Sequence, residues 1–139
     1  DGQGRTGDFT NVVLIMTSNL AGERIEFFKP EFVNRIDDII RFRALTEDDL
    51  QTIVTIQVAH LKQRMADRRI GLDISADAMR LLAKLGYDPV FGARPLKRVI
   101  QRELADPVAS LILSGEVGDG STVAVSSDGS DLRASVLTP

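Results

Sequence analysis

Five consecutive apolar residues, Val12 to Met16, restrict more than any other feature how this chain can fold. They lie in the run NVVLIMTSN, from Asn11 to Asn19, which shows no alternation of polar and apolar residues. Such a run is typical of a strand buried on both faces of a parallel sheet. A second, shorter strand is predicted at DIIRF. Because two strands cannot form a covered sheet alone, we expect their partner strands to lie upstream of this chain.

The hydrophobic pattern becomes helical after about residue 44. Thr46 and Asp49 have the spacing of an N-terminal capping box. Apolar residues then recur along one helical face: Leu50, Ile53, Val54, Val58, Leu61 and Met65. We therefore predict a helix from Glu47 to about Arg69, which Gly71 terminates, and a short strand in the sequence LDIS.

Further turn and cap signals divide the rest of the chain. Ser75 can cap a second helix, and Gly86 fits the C′ position at its end. Pro95 suits the first turn of a third helix, in which Pro107 predicts a break or kink. The sequence STVAVSSDGSDLRASVL has the pattern of two strands joined across Asp128–Gly129, which predicts a hairpin.

These signals predict an α+β fold in two parts. Residues 1–43 are expected to hold the last two strands of a larger α/β domain. Residues 44–139 are expected to form a small domain of about three helices and a three-stranded sheet. Of the 139 residues, 43% are hydrophobic and 27% are charged, which is an ordinary globular balance that supports a core.

Composition argues against several classes of function. The formal net charge of −3 is unsuited to nucleic acid, whose phosphates require a basic face. The chain has no Cys and a single His, His60, which excludes thiolate and histidine-rich metal sites. No apolar run approaches the roughly 18 residues of a membrane span, so no membrane contact is expected. The opening residues DGQGRTGDF lack the apolar region of a signal peptide.

Three segments in order carry a family resemblance. Together, NVVLIMTSN, FKPEFVNRID and GYDPVFGARPLKRVIQREL resemble the C-terminal part of an AAA+ unfoldase of the Clp/heat-shock family. The likeness is greatest to the second ATPase module of ClpB-type protein disaggregases, and it covers nearly the whole chain. It implies that residues 1–43 are the end of the AAA+ large domain and that residues 44–139 are the small C-terminal domain.

The resemblance implies nucleotide-sensing roles for three residues. Asn19 matches the sensor 1 position, which orients the attacking water near the γ-phosphate. Arg35, in NRID, matches the arginine finger that reaches the nucleotide of a neighbouring subunit. Arg94, in GARP, matches sensor 2, which contacts the phosphates bound by its own subunit. A guanidinium suits these tasks because it is planar, always charged and able to bind phosphate through two hydrogen bonds.

Each of these residues also has an ordinary structural interpretation. An Asn after a strand is commonly a turn former. Arg35 could form a surface ion pair with Asp37 or Asp38. Arg94 could be a solvated residue at a helix start. The sequence RPLKRVIQR could be a basic nucleic-acid helix, although its apolar stripe argues against that reading.

The chain departs from the family pattern in two respects. It lacks the phosphate-binding loop G-x-x-x-x-G-K-[ST] and the acidic strand end that would hold Mg²⁺. We therefore expect no ATP hydrolysis and no tight nucleotide binding by this chain alone. The segment LAGERIEF, between Asn19 and Phe28, is also shorter than in the family, and the Ile-Gly-(Phe/Leu) loop of peptidase-docking unfoldases is absent.

The resemblance implies a parent protein that uses ATP or ADP with Mg²⁺. It implies a homohexameric ring, unfolded or aggregated polypeptide as substrate, a DnaK-type chaperone as partner and a cytoplasmic role in heat stress. Two alternatives stay open. The chain could be a non-enzymatic assembly module, or the C-terminal part of a ClpA- or ClpC-type unfoldase that feeds a peptidase.

Overall fold

A computed structural model describes residues 4–18 and 28–139 of the chain. The chain divides into two structural units, Asp1–Phe42 and Arg43–Pro139. Every buried hydrophobic residue that the structure describes lies in the second unit, between Leu50 and Val125. The second unit therefore carries the hydrophobic core.

In the first unit, the described residues form one short helix, α1, at Pro30–Val33. The two predicted strands are not formed by residues 12–18 or 38–42. The side chains of Val13 and Ile15 are 85% and 82% exposed. A strand requires a neighbouring strand to pair with, and the described residues of this unit form no strand.

Helix α2, Glu47–Ala66, begins with the predicted capping box. The hydroxyl of Thr46 accepts the Asp49 N–H, and the Asp49 carboxylate accepts the Thr46 N–H. The end of the helix differs from the prediction. The left-handed residue after it is Arg69, with φ of 57°, and not Gly71. Gly71 instead begins strand β1, Gly71–Ile74.

Helix α3, Ala76–Leu85, is capped by the Ser75 hydroxyl, which accepts the Ala78 N–H at 3.1 Å. Its C-cap Gly86 has φ of −86°, so the predicted left-handed C′ glycine is not observed. Glycine is needed there for a different reason, which is the close approach of Leu96.

The third predicted helix is a continuous run of three segments. Helix α4 is Leu96–Ile100, a π-helical turn follows at Gln101–Ala105, and helix α5 is Asp106–Leu113. The Asp106 N–H donates to the carbonyl of Gln101, five residues earlier. The Gln101 side-chain amide also donates to the Asp106 carboxylate at 2.7 Å. This π-helical turn precedes Pro107, which has no N–H to donate. The predicted break in the α-helix therefore occurs in the turn just before the proline.

Strands β2, Thr122–Ser127, and β3, Leu132–Leu137, form the predicted hairpin. The sheet order is β1-β2-β3, with β1 parallel and β3 antiparallel to β2. The helices between β1 and β2 form the crossover that a parallel pair requires. Five side chains of this unit are the largest that are fully buried: Leu82, Leu96, Leu104, Val54 and Val123. The predicted α+β class is confirmed.

Candidate functional site

Arg94 follows a tight turn that is built around Asp88. The N–H of Asp88 donates to the Gly92 carbonyl at 2.8 Å, and the N–H of Gly92 donates to the Asp88 carbonyl at 2.7 Å. The Asp88 carboxylate also accepts the N–H groups of Val90 and Phe91, at 2.7 and 2.9 Å. Gly92 has φ of +62°, where a side chain would be strained. Four hydrogen bonds thus close the turn that precedes Arg94.

The Arg94 side chain is exposed and lies over an aromatic ring. Its guanidinium carbon is 5.1 Å from the centroid of the Phe91 ring, within the range of a cation–π contact. The Arg94 N–H donates to the Phe91 carbonyl at 3.2 Å. Among the described residues, no carboxylate forms an ion pair with Arg94. The guanidinium therefore combines a restrained position with unpaired charge.

The position of Arg94 is also set from its C-terminal side. Two residues later, Leu96 begins α4 and is only 2% exposed. The Leu96 N–H donates to the Ala93 carbonyl at 3.0 Å, and the Pro95 carbonyl accepts the Val99 N–H at 3.0 Å. The chain therefore passes directly from the closed turn into a helix that is anchored in the core.

Arg35 lies in the first unit, two residues after α1. Its N–H donates to the Phe32 carbonyl at 3.1 Å. The rings of Phe28 and Phe32 pack on each other, with centroids 5.4 Å apart. The Arg35 side chain is exposed, and within the described part of the chain it forms no ion pair with Asp37 or Asp38. The ion-pair interpretation of Arg35 is therefore not supported.

The described structure leaves the mutual arrangement of the three predicted sensing residues untested. Asn19 lies outside the described residues, and Arg35 and Arg94 belong to different units. Their arrangement around one nucleotide stays a prediction. Two residues of this turn were not predicted from the sequence. Asp88 closes the turn through its hydrogen bonds, and Phe91 places its ring under the Arg94 guanidinium. The signal for Asp88 was its place before a proline, a common start of a turn.

Neither a metal cluster nor a membrane-spanning helix occurs among residues 4–18 and 28–139. No group of three or more His, Cys, Asp or Glu side chains in these ranges could hold a metal ion. None of the helices in the same ranges is both long enough and apolar enough to cross a membrane.

The second unit matches a known family of domains. Residues 45–125 match the family described as the C-terminal, D2-small domain of ClpB protein. This match includes the Arg94 turn, all of the helices of the second unit and most of β2.

Known ClpB proteins resemble nearly the whole chain. The chain is 52% identical to chaperone protein ClpB of Corynebacterium diphtheriae, over 92% of this chain and 16% of that protein. It is 47% identical to chaperone protein ClpB of Streptomyces albus G, over 90% of this chain and 17% of that protein. It is also 47% identical to chaperone protein ClpB of Meiothermus ruber, over 91% of this chain and 17% of that protein. The chain thus spans about one sixth of the length of these relatives.

The relatives also contain residues that this chain lacks. The match to the Streptomyces protein extends over 143 positions, which is more than the 139 residues of the chain. The short segment LAGERIEF, outside the described residues, is our candidate for the place where they are missing. With the family match over more than half of its residues, the chain belongs to the ClpB family of chaperone proteins.

Proposed function

We propose that this chain is the C-terminal part of an ATP-dependent protein disaggregase and that Arg94 contacts nucleotide phosphate in it. One observation carries this proposal. The Arg94 guanidinium is exposed, is held over the Phe91 ring at 5.1 Å and has no carboxylate partner among the described residues. An arginine in that state offers several N–H donors to an anion, and phosphate accepts two of them at once.

Arg94 would sense a nucleotide that other parts of the protein hold. The chain has no G-x-x-x-x-G-K-[ST] loop, and its described residues contain no cluster of metal ligands. The phosphates and Mg²⁺ would therefore be bound mainly by residues outside this chain. Arg94 would add positive charge to the phosphates and so couple nucleotide occupancy to the position of the small domain.

Arg35 and Asn19 would complete the nucleotide site. Arg35, exposed and without an ion pair in the described structure, would reach the phosphate of a neighbouring subunit, and Asn19 would orient the attacking water. These roles require a closed ring of identical subunits, which we propose to be a hexamer in the cytoplasm. Unfolded or aggregated polypeptide would be the substrate, with a DnaK-type chaperone as partner.

A non-enzymatic assembly module is the second candidate function. Two exposed apolar side chains of the second unit favour it, since Val90 and Leu113 are 80% and 86% exposed. Such side chains could contact another subunit without any role for nucleotide. The ClpA or ClpC alternative gains no support, because the matched domain family is that of ClpB.

The test is a graft of this sequence into ClpB of C. diphtheriae in place of the matching segment. The full-chain graft carries residues 1–139. The 28–139 graft keeps the host sequence up to the position before Phe28, and so avoids the short LAGERIEF segment. Steady-state ATP hydrolysis, nucleotide affinity, ring assembly and reactivation of a heat-aggregated protein are measured for the host, the grafts and two variants, Arg94→Ala and Val90→Ala.

We expect the 28–139 graft to hydrolyse ATP at a rate near that of the host, and Arg94→Ala to weaken nucleotide binding. Val90→Ala is the matched control, because it alters an exposed side chain of the same turn. If Arg94→Ala changes neither hydrolysis nor nucleotide affinity while Val90→Ala disrupts the ring, the sensing role is wrong and the assembly function is favoured.

A further inference from the structure

We infer that Phe91 is a positioning residue for Arg94, holding its guanidinium in the orientation in which it receives phosphate. The inference rests on the proposed contact between Arg94 and nucleotide. It concerns a residue that does not itself touch the nucleotide and acts only through Arg94.

The exposure of Phe91 is not explained by core packing. Its side chain is 55% exposed, although the turn on which it lies is fixed by hydrogen bonds on both sides. Its N–H donates to the Asp88 carboxylate at 2.9 Å, and its carbonyl accepts the Arg94 N–H at 3.2 Å. The backbones of Phe91 and Arg94 are therefore joined by a hydrogen bond, and the ring and the guanidinium project from the same short turn.

Stacking is well suited to presenting an arginine to an anion. The guanidinium uses its flat face against a ring, whereas its N–H donors point outward in its own plane. An aromatic partner thus restrains a long side chain while leaving its donors unoccupied. It also lowers the rotamer entropy that the side chain must lose on binding a ligand.

Other arginines of the structure show the contrast. Four of the other described arginines pair with carboxylates, which occupy some of their donors: Arg43, Arg80, Arg102 and Arg133. Arg94 is instead restrained by a neutral ring at 5.1 Å. A residue that must meet phosphate gains from this arrangement, since no ion pair has to be broken first.

The contact between the Phe91 ring and the Arg94 guanidinium can be tested without nucleotide. In the 139-residue chain, the side-chain NMR resonances of Arg94 should show an upfield ring-current shift that Phe91→Leu removes and Phe91→Tyr retains. Identical Arg94 resonances in the wild type and in Phe91→Leu would overturn the inference, because Phe91 would then not hold the guanidinium.

The functional consequence requires a double-mutant cycle in the 28–139 graft, with the affinity for a fluorescent ADP analogue as the readout. Phe91→Leu should weaken binding about two- to fivefold, the change expected for an exposed cation–π contact. Phe91→Tyr should restore the affinity. In an Arg94→Ala background, Phe91→Leu should have no further effect, since its partner is gone.

The outcomes separate the two proposals. If Phe91→Leu weakens binding equally with and without Arg94, its role is structural and the inference fails. If Arg94→Ala weakens binding but Phe91→Leu does not, only the positioning role fails. If Arg94→Ala itself leaves the affinity unchanged, the proposed phosphate contact fails, and the inference fails with it even where the spectrum shows the contact between ring and guanidinium.

Discussion

Gly86 and Leu96 approach so closely that a side chain cannot fit between them. A Cβ added at residue 86 would lie 2.9 Å from the Leu96 Cα and 2.3 Å from its Cδ1. Because Gly86 has φ of −86°, its backbone conformation alone would accept any residue. This close contact joins the end of α3 to the start of α4, and so fixes both ends of the turn that leads to Arg94.

Gly86→Ala should therefore destabilise the chain. The added methyl group would meet the Leu96 backbone, which can be relieved only by shifting one helix relative to the other. Overpacking of this kind costs about 1–3 kcal/mol. The free energy of unfolding in urea, measured on the 139-residue chain, checks the value.

Gly118→Ala is the control for this substitution. A Cβ at residue 118 would have no heavy atom within 4 Å, and the residue does not have a positive φ. Its unfolding free energy should be unchanged or slightly higher, since alanine restricts the unfolded chain. Equal stability of the two variants would contradict the importance of the Gly86 contact.

Leu82→Ala should be the more damaging of two leucine truncations on α3. Leu82 is fully buried at 0% exposure, whereas Leu85 is 42% exposed. Truncation in a packed core removes apolar contacts and leaves a cavity, at a cost of about 2–5 kcal/mol. Leu85→Ala on the same helix should cost clearly less. Thermal unfolding of both variants makes the comparison. A larger loss of stability for Leu85→Ala would contradict the assignment of Leu82 to the core-facing side of α3.

The start of α2 should make stability depend on acid pH. The Arg43 guanidinium, followed by the N–H and hydroxyl of Thr46, holds the pKa of Asp49 far below its ordinary value of 3.8. A carboxyl group with a lowered pKa in the folded state stabilises the fold above pH 3.8, and this stabilisation is lost as the pH falls further.

Asp49→Asn should lower the Tm at pH 7, and the difference from the wild type should narrow below pH 3.8. Asp48→Asn is the control, because it removes a charge from the same first turn but no side-chain hydrogen bond of the described structure. Tm values measured from pH 2 to pH 7 test this. A constant difference between wild type and Asp49→Asn over that range would contradict the ion-pair explanation.

Helix starts were predictable from the sequence because their signals are local. Thr46 with Asp49, and Ser75 with Ala78, satisfy backbone N–H groups within three residues of the cap. Helix ends depended on tertiary packing. Arg69 and not Gly71 takes the left-handed conformation, and Gly86 is needed because of Leu96, which lies ten residues away.

The candidate site was likewise predictable where its signals are local and not where it depends on tertiary structure. The motif GARP predicted that Arg94 would precede a helix, and it does. The ring under its guanidinium was not predicted, because this contact depends on how Asp88 and Gly92 close the turn. The strands predicted in the first unit required partners that the described residues do not include, so their apolar pattern alone could not produce them.

Removing residues 1–42 should leave the stability of the second unit nearly unchanged. All buried hydrophobic residues that the structure describes lie between Leu50 and Val125, so the deletion removes no part of that core. Limited proteolysis of the full chain should cut first in the exposed segments near Val13 and Ile40, which are 85% and 73% exposed. A Tm that falls by more than a few degrees on deletion would contradict the predicted boundary between residues 43 and 44.

Arg35→Ala should abolish most of the ATP hydrolysis that the second ATPase module contributes in the 28–139 graft, while changing nucleotide affinity little. An arginine finger acts on the charge of the transition state from a neighbouring subunit, and its loss can reduce the rate by about 10³-fold or more. Arg35→Lys is the matched control. It keeps the charge but cannot bind phosphate through a planar pair of donors, so it should restore little activity. Hydrolysis is measured at saturating ATP, with ring assembly checked by light scattering. Normal hydrolysis by an assembled Arg35→Ala ring would show that Arg35 is an ordinary exposed residue and that another group serves the neighbouring phosphate.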